Sequence, residues 1–410
     1  MPKKPFRTTR QQEKLDDLYK VMREGLRNNP FTNDVMASPP TVTVGTTGDG
    51  TLTLYPVAAA GALTDFSKNQ VAWYGGVPSP ILTQYVCMPV TSVLPSTNGN
   101  IGSGYADKNQ WMSAFEIVTP ADKVQLGIFC SSAVKIMFQV EDKYVDKVGF
   151  SSASATNADT MFLLTFPTIT PRRIRVLVPC LPSKGPCFIK TVRVTPGCGV
   201  WKPSQRRVKR LGWFGDSYPE STNSAASVYP IPNASWPIQT GERLGIRDVR
   251  QYAVGQTGYI ATAGGTRPSM LDLIPLVADQ GACDIYAVSH GYNDATQNQS
   301  ALEDRITITL QELLRRYQHT PVCVHGCQAG NAAPALNQIA TENTIYAAVK
   351  RVDSRYCEFI KVSTDDVPWL STANASVMVD TDNAHPTLAG HSLLAYRSAE
   401  AMVEAVERML

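Results

Sequence analysis

The period of the apolar pattern changes partway along this chain, and that change limits its fold more than anything else. Between Ser38 and about Pro203 apolar and polar residues alternate, as in Thr41-Val42-Thr43-Val44 and, past a Gly48-Asp49-Gly50 turn, Thr51-Leu52-Thr53-Leu54. Side chains on a strand point to its two faces in turn, so this pattern predicts strands. Runs at Lys123 to Cys130, Val134 to Val140, Met161 to Phe166, Ile174 to Val178 and Phe188 to Val194 extend it. Many short strands between Gly, Pro and Ser turns predict a jelly-roll-like β-sandwich. The Gly- and Asn-rich stretch from Asn98 to Ser103 reads as a long loop. Past Arg210, strand-like runs at Leu211 to Phe214, Ile285 to Ser289, Val322 to His325 and Phe359 to Val362 take turns with helical periodicity. The helical stretches are Ser269 to Ala278, Leu302 to Arg316, Ile339 to Val352 and Leu388 to Met409. Such an order predicts a parallel sheet with helices on both faces.

Ahead of both parts, Thr9-Arg10-Gln11-Gln12 fits a capping box, and Leu15, Leu18, Met22 and Leu26 recur at helical spacing until Asn28-Asn29-Pro30. This helix either docks on its own chain or associates with copies of itself, and barely two heptads favour docking. The basic run Gln205-Arg206-Arg207-Val208-Lys209-Arg210 reads as a solvated linker. The expected division is a short N-terminal helix and attachment segment over 1–37, a β-sandwich over 38–205 and an α/β domain over 206–410. With 410 residues, 43% of them hydrophobic, each larger part can bury its own core.

A formal charge of +3 argues against nucleic acid as a partner. No apolar run approaches the 18 or so residues that span a bilayer, so membrane insertion is not expected. The opening Met1-Pro2-Lys3-Lys4-Pro5-Phe6-Arg7 carries no signal-peptide pattern. Nine cysteines without paired spacing read as mostly buried thiols of a reducing compartment. Cys323-Val324-His325-Gly326-Cys327 reads as one face of a buried strand rather than a metal site. His391 reads as a surface or packing residue, and Arg172, Arg173 and Arg175 as charges that guard a sheet edge.

Four segments carry chemistry. Leu211-Gly212-Trp213-Phe214-Gly215-Asp216-Ser217 puts a serine just beyond a strand of the α/β part, where such sheets hold ligands. Asp382-Asn383-Ala384-His385-Pro386 sets a carboxylate three residues before a histidine, a spacing that lets a loop orient the imidazole for acyl transfer. Between them, Ala253-Val254-Gly255-Gln256-Thr257-Gly258-Tyr259 offers the Gly255 N–H, and Ser289-His290-Gly291-Tyr292-Asn293-Asp294 the Asn293 amide, both suited to a developing oxyanion.

In this order and at these separations the four segments resemble the blocks of the SGNH/GDSL hydrolase superfamily. The resemblance covers about the second half of the chain. It implies a three-layer α/β/α fold with a parallel sheet, no metal and no organic cofactor. Carried over position by position, it implies Ser217 as nucleophile, His385 as base, Asp382 as its acid, and Ser217, Gly255 and Asn293 as the oxyanion hole. Tyr218 stands where the lipase-like branch usually has Leu, and Val254 to Tyr259 looks more like the carbohydrate-esterase branches. No Gly-x-Ser-x-Gly elbow is present, which argues against the α/β-hydrolase fold.

The resemblance thus points to a serine esterase that removes O-acetyl groups from a polysaccharide. Tyr218, Tyr259, Tyr292 and Trp369 are aromatic residues that could wall a sugar site, with ordinary core as the equal alternative for each. A β-rich part ahead of such a domain resembles carbohydrate esterases with an N-terminal jelly roll, and also bacteriophage tail proteins that deacetylate host surface glycan. The second likeness implies a virion-associated homo-oligomer, a trimer in a tail spike; otherwise the expected place is the cytoplasm. A lipase or thioesterase of the GDSL type, and a structural or glycan-binding tail protein, are the alternatives.

Overall fold

The computed structural model describes residues 9–28, 35–76, 78–81, 85–87, 110–130, 133–152, 158–180, 187–204, 208–220, 235–278, 281–330 and 334–410. The stretch Asn98 to Ser103, expected as a loop, lies outside them. α1 spans Thr9–Asn28. The β-rich part then runs β1 (Thr41–Gly45), β2 (Thr53–Pro56), β3 (Ala58–Ala59), β4 (Ala62–Leu63), α2 (Asp65–Asn69), β5 (Ala72–Tyr74), β6 (Ser79–Ile81) and β7 (Tyr85–Cys87). It continues with β8 (Gln110–Thr119), β9 (Lys123–Cys130), β10 (Lys135–Val140), β11 (Lys143–Tyr144), β12 (Phe150–Ser151), β13 (Ala158–Thr165), β14 (Arg172–Cys180) and β15 (Cys187–Val194).

Among the described residues these strands form two main antiparallel sheets. One is ordered β1-β13-β9-β15-β7-β6 with β2 beside β15, the other β11-β10-β14-β8-β5 with β12 beside β10. The strands that flank the Gly48-Asp49-Gly50 turn therefore pair with β13 and β15 instead of with each other. Alternation gives the second sheet two buried faces. Phe115, Phe138 and Val176 share an apolar cluster with Leu126, Phe162 and Val192 of the first sheet. Their neighbours Ala114, Met137 and Leu177 join a different cluster with Leu18 of α1 and Trp213 of the α/β part.

The three arginines do not guard an edge. β14 pairs on one side with β10 and on the other with β8. An interior strand tolerates their charge because each has a partner. Arg173 lies 3.6 Å from Glu116 and also pairs with Asp142. Arg175 sits over the Tyr74 ring at 4.8 Å and donates to the Arg247 carbonyl at 2.9 Å. Arg172 covers the Phe166 ring at 4.3 Å.

The α/β part comprises β16 (Arg210–Gly215), α3 (Ser217–Glu220), α4 (Trp236–Arg243), β17 (Asp248–Ala253), α5 (Met270–Leu276) and β18 (Ile285–Ser289). Next come α6 (Gln299–Arg316), β19 (Val322–His325), α7 (Leu336–Val352), β20 (Cys357–Ile360), α8 (Ala375–Met378) and α9 (Leu388–Met409). Its five strands form a parallel sheet in the order β17-β16-β18-β19-β20. Leu211, Trp213 and Ala287 face Ile238 of α4 and Leu394 and Met402 of α9. Phe214, Val288 and Val324 face Leu273 of α5, Leu310 of α6 and Ile345 of α7. Helices thus cover both faces. The apolar residues Leu15, Leu18 and Met22 of α1 are buried in the first of these clusters, where α1 packs on α4 and α9 of its own chain.

Among the elements that escaped sequence reasoning are α4 and β17. α4 is short and contains Gly241, while β17 holds Asp248, Arg250 and Gln251 among six residues that are all buried. The charges are accommodated because Asp248 lies 2.9 Å from Arg210 and 3.1 Å from Arg250, and the Gln251 amide donates to the Pro219 carbonyl at 2.7 Å. The described end of the basic run is not a solvated linker. Lys209 is buried with its Nζ 2.6 Å from Asp17 of α1, and Arg210 already belongs to β16.

Candidate active site

β16 is an interior strand of the parallel sheet, and Ser217 follows just past its C-terminal end as the first residue of α3. Gly215 makes this turn sterically feasible: a Cβ there would lie 2.1 Å from Pro219 Cγ and 2.8 Å from the Ser289 carbonyl oxygen. The N–H of a first helical residue has no intrahelical acceptor, so that of Ser217 is open to an external oxygen.

Beside it, Asp216 is buried and its Oδ1 accepts the Tyr218 N–H at 3.0 Å. Burial pushes its carboxyl from an ordinary 3.8 up to about 8, with the charges of Asp294 and Glu220 adding to the shift. The folded chain therefore keeps a proton that the unfolded chain releases, and this contribution is complete below pH 3.8 and lost as the pH rises through 8. Asp216→Asn keeps an acceptor for Tyr218 and removes the titration. Its melting temperature is expected to match that of the wild type near pH 4 and to exceed it near pH 8, by the equivalent of a few kcal/mol. Parallel melting curves for the two proteins from pH 4 to 8 would count against this.

Asp382 and His385 sit in a turn that closes on itself, with Asp380 N–H donating to the His385 carbonyl at 2.8 Å. Asp382 Oδ2 lies 2.5 Å from His385 Nδ1, and its Oδ1 accepts the N–H groups of Ala384 and His385, both at 3.0 Å. Burial alone would raise the Asp382 carboxyl, but the His385 hydrogen bond and the two backbone donors outweigh it and hold the group below the ordinary carboxylate range. His385 Nε2 is buried and has no hydrogen-bond partner among the described residues. The imidazole is thus oriented from behind through Nδ1, with Nε2 left unpartnered in front among the described residues.

α3 draws the four segments together. The Tyr218 ring lies 5.5 Å from the His385 ring and 5.3 Å from that of Tyr292, next to Asn293. Glu220 reaches the Gly255 segment: its Oε2 accepts the Gly255 N–H at 2.8 Å. This corrects the expectation of an open Gly255 donor, because a carboxylate already holds it. Asn293 Nδ2 donates to the Thr257 carbonyl at 2.9 Å, which fixes the amide with one N–H still to give. Among the described residues, the oxyanion donors left open are therefore Ser217 N–H and Asn293 Nδ2.

Sequence reasoning missed Glu220 and Asp294. The Asp294 carboxylate accepts the N–H groups of Tyr259, Ile260 and Ala261 at 2.7, 3.0 and 2.9 Å, tying the Gly255 loop to the Asn293 turn. Gly258 makes room for it, since a Cβ there would come within 2.2 Å of that carboxylate. The neighbouring Asn293 was the only sequence signal for Asp294. For Glu220 there was none.

Of the four aromatic candidates for sugar contact, three are corrected by their burial. Tyr218, Tyr259 and Trp369 are 1%, 0% and 2% exposed and offer no face to a ligand. Tyr259 lies edge-on to His290, and Trp369 edge-on to His325 with its Nε1 donating to Asp365. Only Tyr292 is half-buried. His325 packs against Trp213 with ring centroids 5.2 Å apart, and Cys323 and Cys327 are buried. His391 is a packing residue whose Nδ1 accepts the Trp236 N–H at 3.3 Å, and burial lowers its pKa to about 3.

No protein-family model and no curated sequence matches the chain. Solved structures do. A family two carbohydrate esterase from Cellvibrio japonicus is similar with a TM-score of 0.60 at 11% identity, over 90% of this chain and 100% of that one. The salicylyl-acyltransferase SsfX3 of a tetracycline biosynthetic pathway gives 0.61 at 11% identity, over 88% and 97%. An acetyl xylan esterase from the rumen bacterium Butyrivibrio proteoclasticus gives 0.56 at 12% identity, over 88% and 100%. At such identities the likeness is one of fold: a mixed α/β architecture with one parallel sheet, as in SGNH-like esterases.

Proposed function

We propose that the chain is a serine esterase that removes O-acetyl groups from a polysaccharide. The observation that carries the reading is the Asp382–His385 couple, with its open Nε2, beside the residue that follows Ser217. His385 Nε2 takes the Ser217 proton as Oγ attacks the ester carbonyl. The tetrahedral oxyanion is met by Ser217 N–H and Asn293 Nδ2. Collapse breaks the carbon–oxygen bond to the sugar, whose oxygen takes the proton from His385. Water, deprotonated by the same imidazole, then attacks the acyl-enzyme and frees acetate and Ser217.

A small acyl group is supported by the Tyr218 ring, which fills space beside Ser217 between Tyr292 and His385. A carbohydrate alcohol is supported by fold likeness to carbohydrate esterases, one of them an acetyl xylan esterase. A jelly-roll-like sandwich ahead of the α/β part is supported by two antiparallel sheets that share one core, and the division at 205/206 itself lies outside the described residues. A virion setting rests on the order of the parts alone.

Hydrolysis of aryl esters from acetate to octanoate tests the reading, with turnover expected on acetate and falling steeply with chain length. A preference for octanoate would move the protein to the lipase or thioesterase class. Asn293→Ala is expected to lower kcat by about two to three orders of magnitude, as loss of one oxyanion donor does. An unchanged kcat would remove Asn293 from the site.

A further inference from the structure

A cavity of about 830 Å³ opens at the opposite end of the parallel sheet from Ser217. Arg210, Asp248, Asp284 and Pro321, at or beside the first residues of β16, β17, β18 and β19, form its floor, and α1 closes one side with Arg10 and Lys14. Its volume falls within the roughly 300–1,000 Å³ of small-molecule sites.

The charges around this cavity do not balance. Asp248 is engaged by Arg210, Arg250 and the Gly75 N–H. Asp284 is engaged by Lys209 at 3.9 Å and by the Arg210 N–H at 3.0 Å. Both acids are thus matched. Arg10 and Lys14, exposed and one helical turn apart, meet no carboxylate among the described residues. Like charges at that spacing weaken a helix slightly, and among the described residues no ion pair relieves them. Across the cavity, Arg316 has a buried Nε with no hydrogen-bond partner among the described residues, and its Nη2, 3.3 Å from Glu312, shares that one carboxylate with Arg315. The result is a concave wall with positive charge to spare. Half-buried Trp73 contributes part of an aromatic ring, and Gln318 and Thr320 contribute polar groups.

We propose that this cavity binds a uronate-bearing segment of polysaccharide. The carboxylate meets Arg10, Lys14 and Arg316, a ring packs on Trp73, and hydroxyls meet Gln318 and Thr320. That the ligand is a saccharide rests on the esterase reading, whereas its negative charge rests on the cavity alone. Set apart from Ser217, the site holds a glycan chain without competing for the catalytic centre.

The test is calorimetric titration of the full chain with trigalacturonate, with its neutral methyl ester and with inorganic pyrophosphate. The same titrations are run on Arg10→Glu/Lys14→Glu, a double change at exposed positions of α1 on the cavity wall. Trigalacturonate is expected to bind, to weaken as salt is raised, and to lose at least tenfold in affinity in the variant, while both other probes bind weakly. Equal binding of the methyl ester would overturn the role of charge, and pyrophosphate binding as tight as trigalacturonate would overturn the role of the sugar. No binding of trigalacturonate, or binding the variant leaves unchanged, would overturn the site. Aryl acetate turnover is measured on both proteins and is expected to be equal. Absence of Ser217-dependent turnover in the wild type would sink the esterase reading while leaving the charge-dependent titration to stand or fall separately.

Discussion

Ser217→Ala is expected to lower kcat on an aryl acetate by about six orders of magnitude, to the level at which only residual binding and oxyanion stabilisation remain. The size follows from what is lost: without Oγ there is no acyl-enzyme, and the oriented His385 has no proton to take. The fold should survive. Ser217 is 7% exposed and its hydroxyl holds no hydrogen bond among the described residues, so its loss leaves no polar partner stranded. Unfolding free energy should change by less than about 1 kcal/mol. A fluorophosphonate probe should add its mass to the peptide that contains Ser217 in the wild type and to none in the variant. Turnover that persists in a well-folded variant would place the nucleophile elsewhere, and with it the whole acyl-enzyme scheme.

What could be read in the sequence, and what could not, divides along physical lines. β9, β15, β16 and β18 were legible because their burial comes from apolar side chains in an unbroken or alternating run. β17 was hidden because three of its six buried residues are polar, and only the partners Arg210, Arg250 and Pro219, far apart in sequence, make that burial affordable. The arginines of β14 misled for the same reason: Glu116, Asp142 and Tyr74 turn what reads as an edge into an interior strand. In the site, Asp382 and His385 lie three residues apart and a single turn joins them, so their pairing was local and visible. Glu220 and Asp294 act on backbone N–H groups at Gly255, Tyr259, Ile260 and Ala261, a role that leaves no trace in side-chain identity. The sealed positions of Tyr259 and Trp369 likewise depend on the packing of His290 and His325. Local patterns carry reactive groups, whereas the scaffolding that aims them is made of long-range contacts.

Asp382→Asn separates those two contributions within one side chain. The Asp382 carboxylate accepts a hydrogen bond from His385 Nδ1–H at one oxygen and from two backbone N–H groups at the other. An asparagine can keep the backbone acceptor with its carbonyl oxygen, but it then turns its NH2 toward His385 Nδ1. The imidazole answers by placing its proton on Nε2, the nitrogen that receives the proton of Ser217 in the proposed mechanism. A fall in kcat of about four orders of magnitude is expected, with KM changed far less, because the loss lies in the reacting state and not in binding. Stability should suffer less in Asp382→Asn than in Asp382→Ala, where the turn loses its backbone acceptor as well. The pH dependence has a definite sign. Because the folded carboxyl is held below its ordinary range, its contribution to stability is present above that range and is lost only as the pH falls through the lowered value. The wild type should therefore gain stability over Asp382→Asn as the pH rises from strongly acid solution and keep that gain at neutral pH. An Asp382→Asn protein that retains a tenth or more of wild-type kcat would show that His385 does not depend on this carboxylate, and the pair at 2.5 Å would then be a brace for the turn before α9.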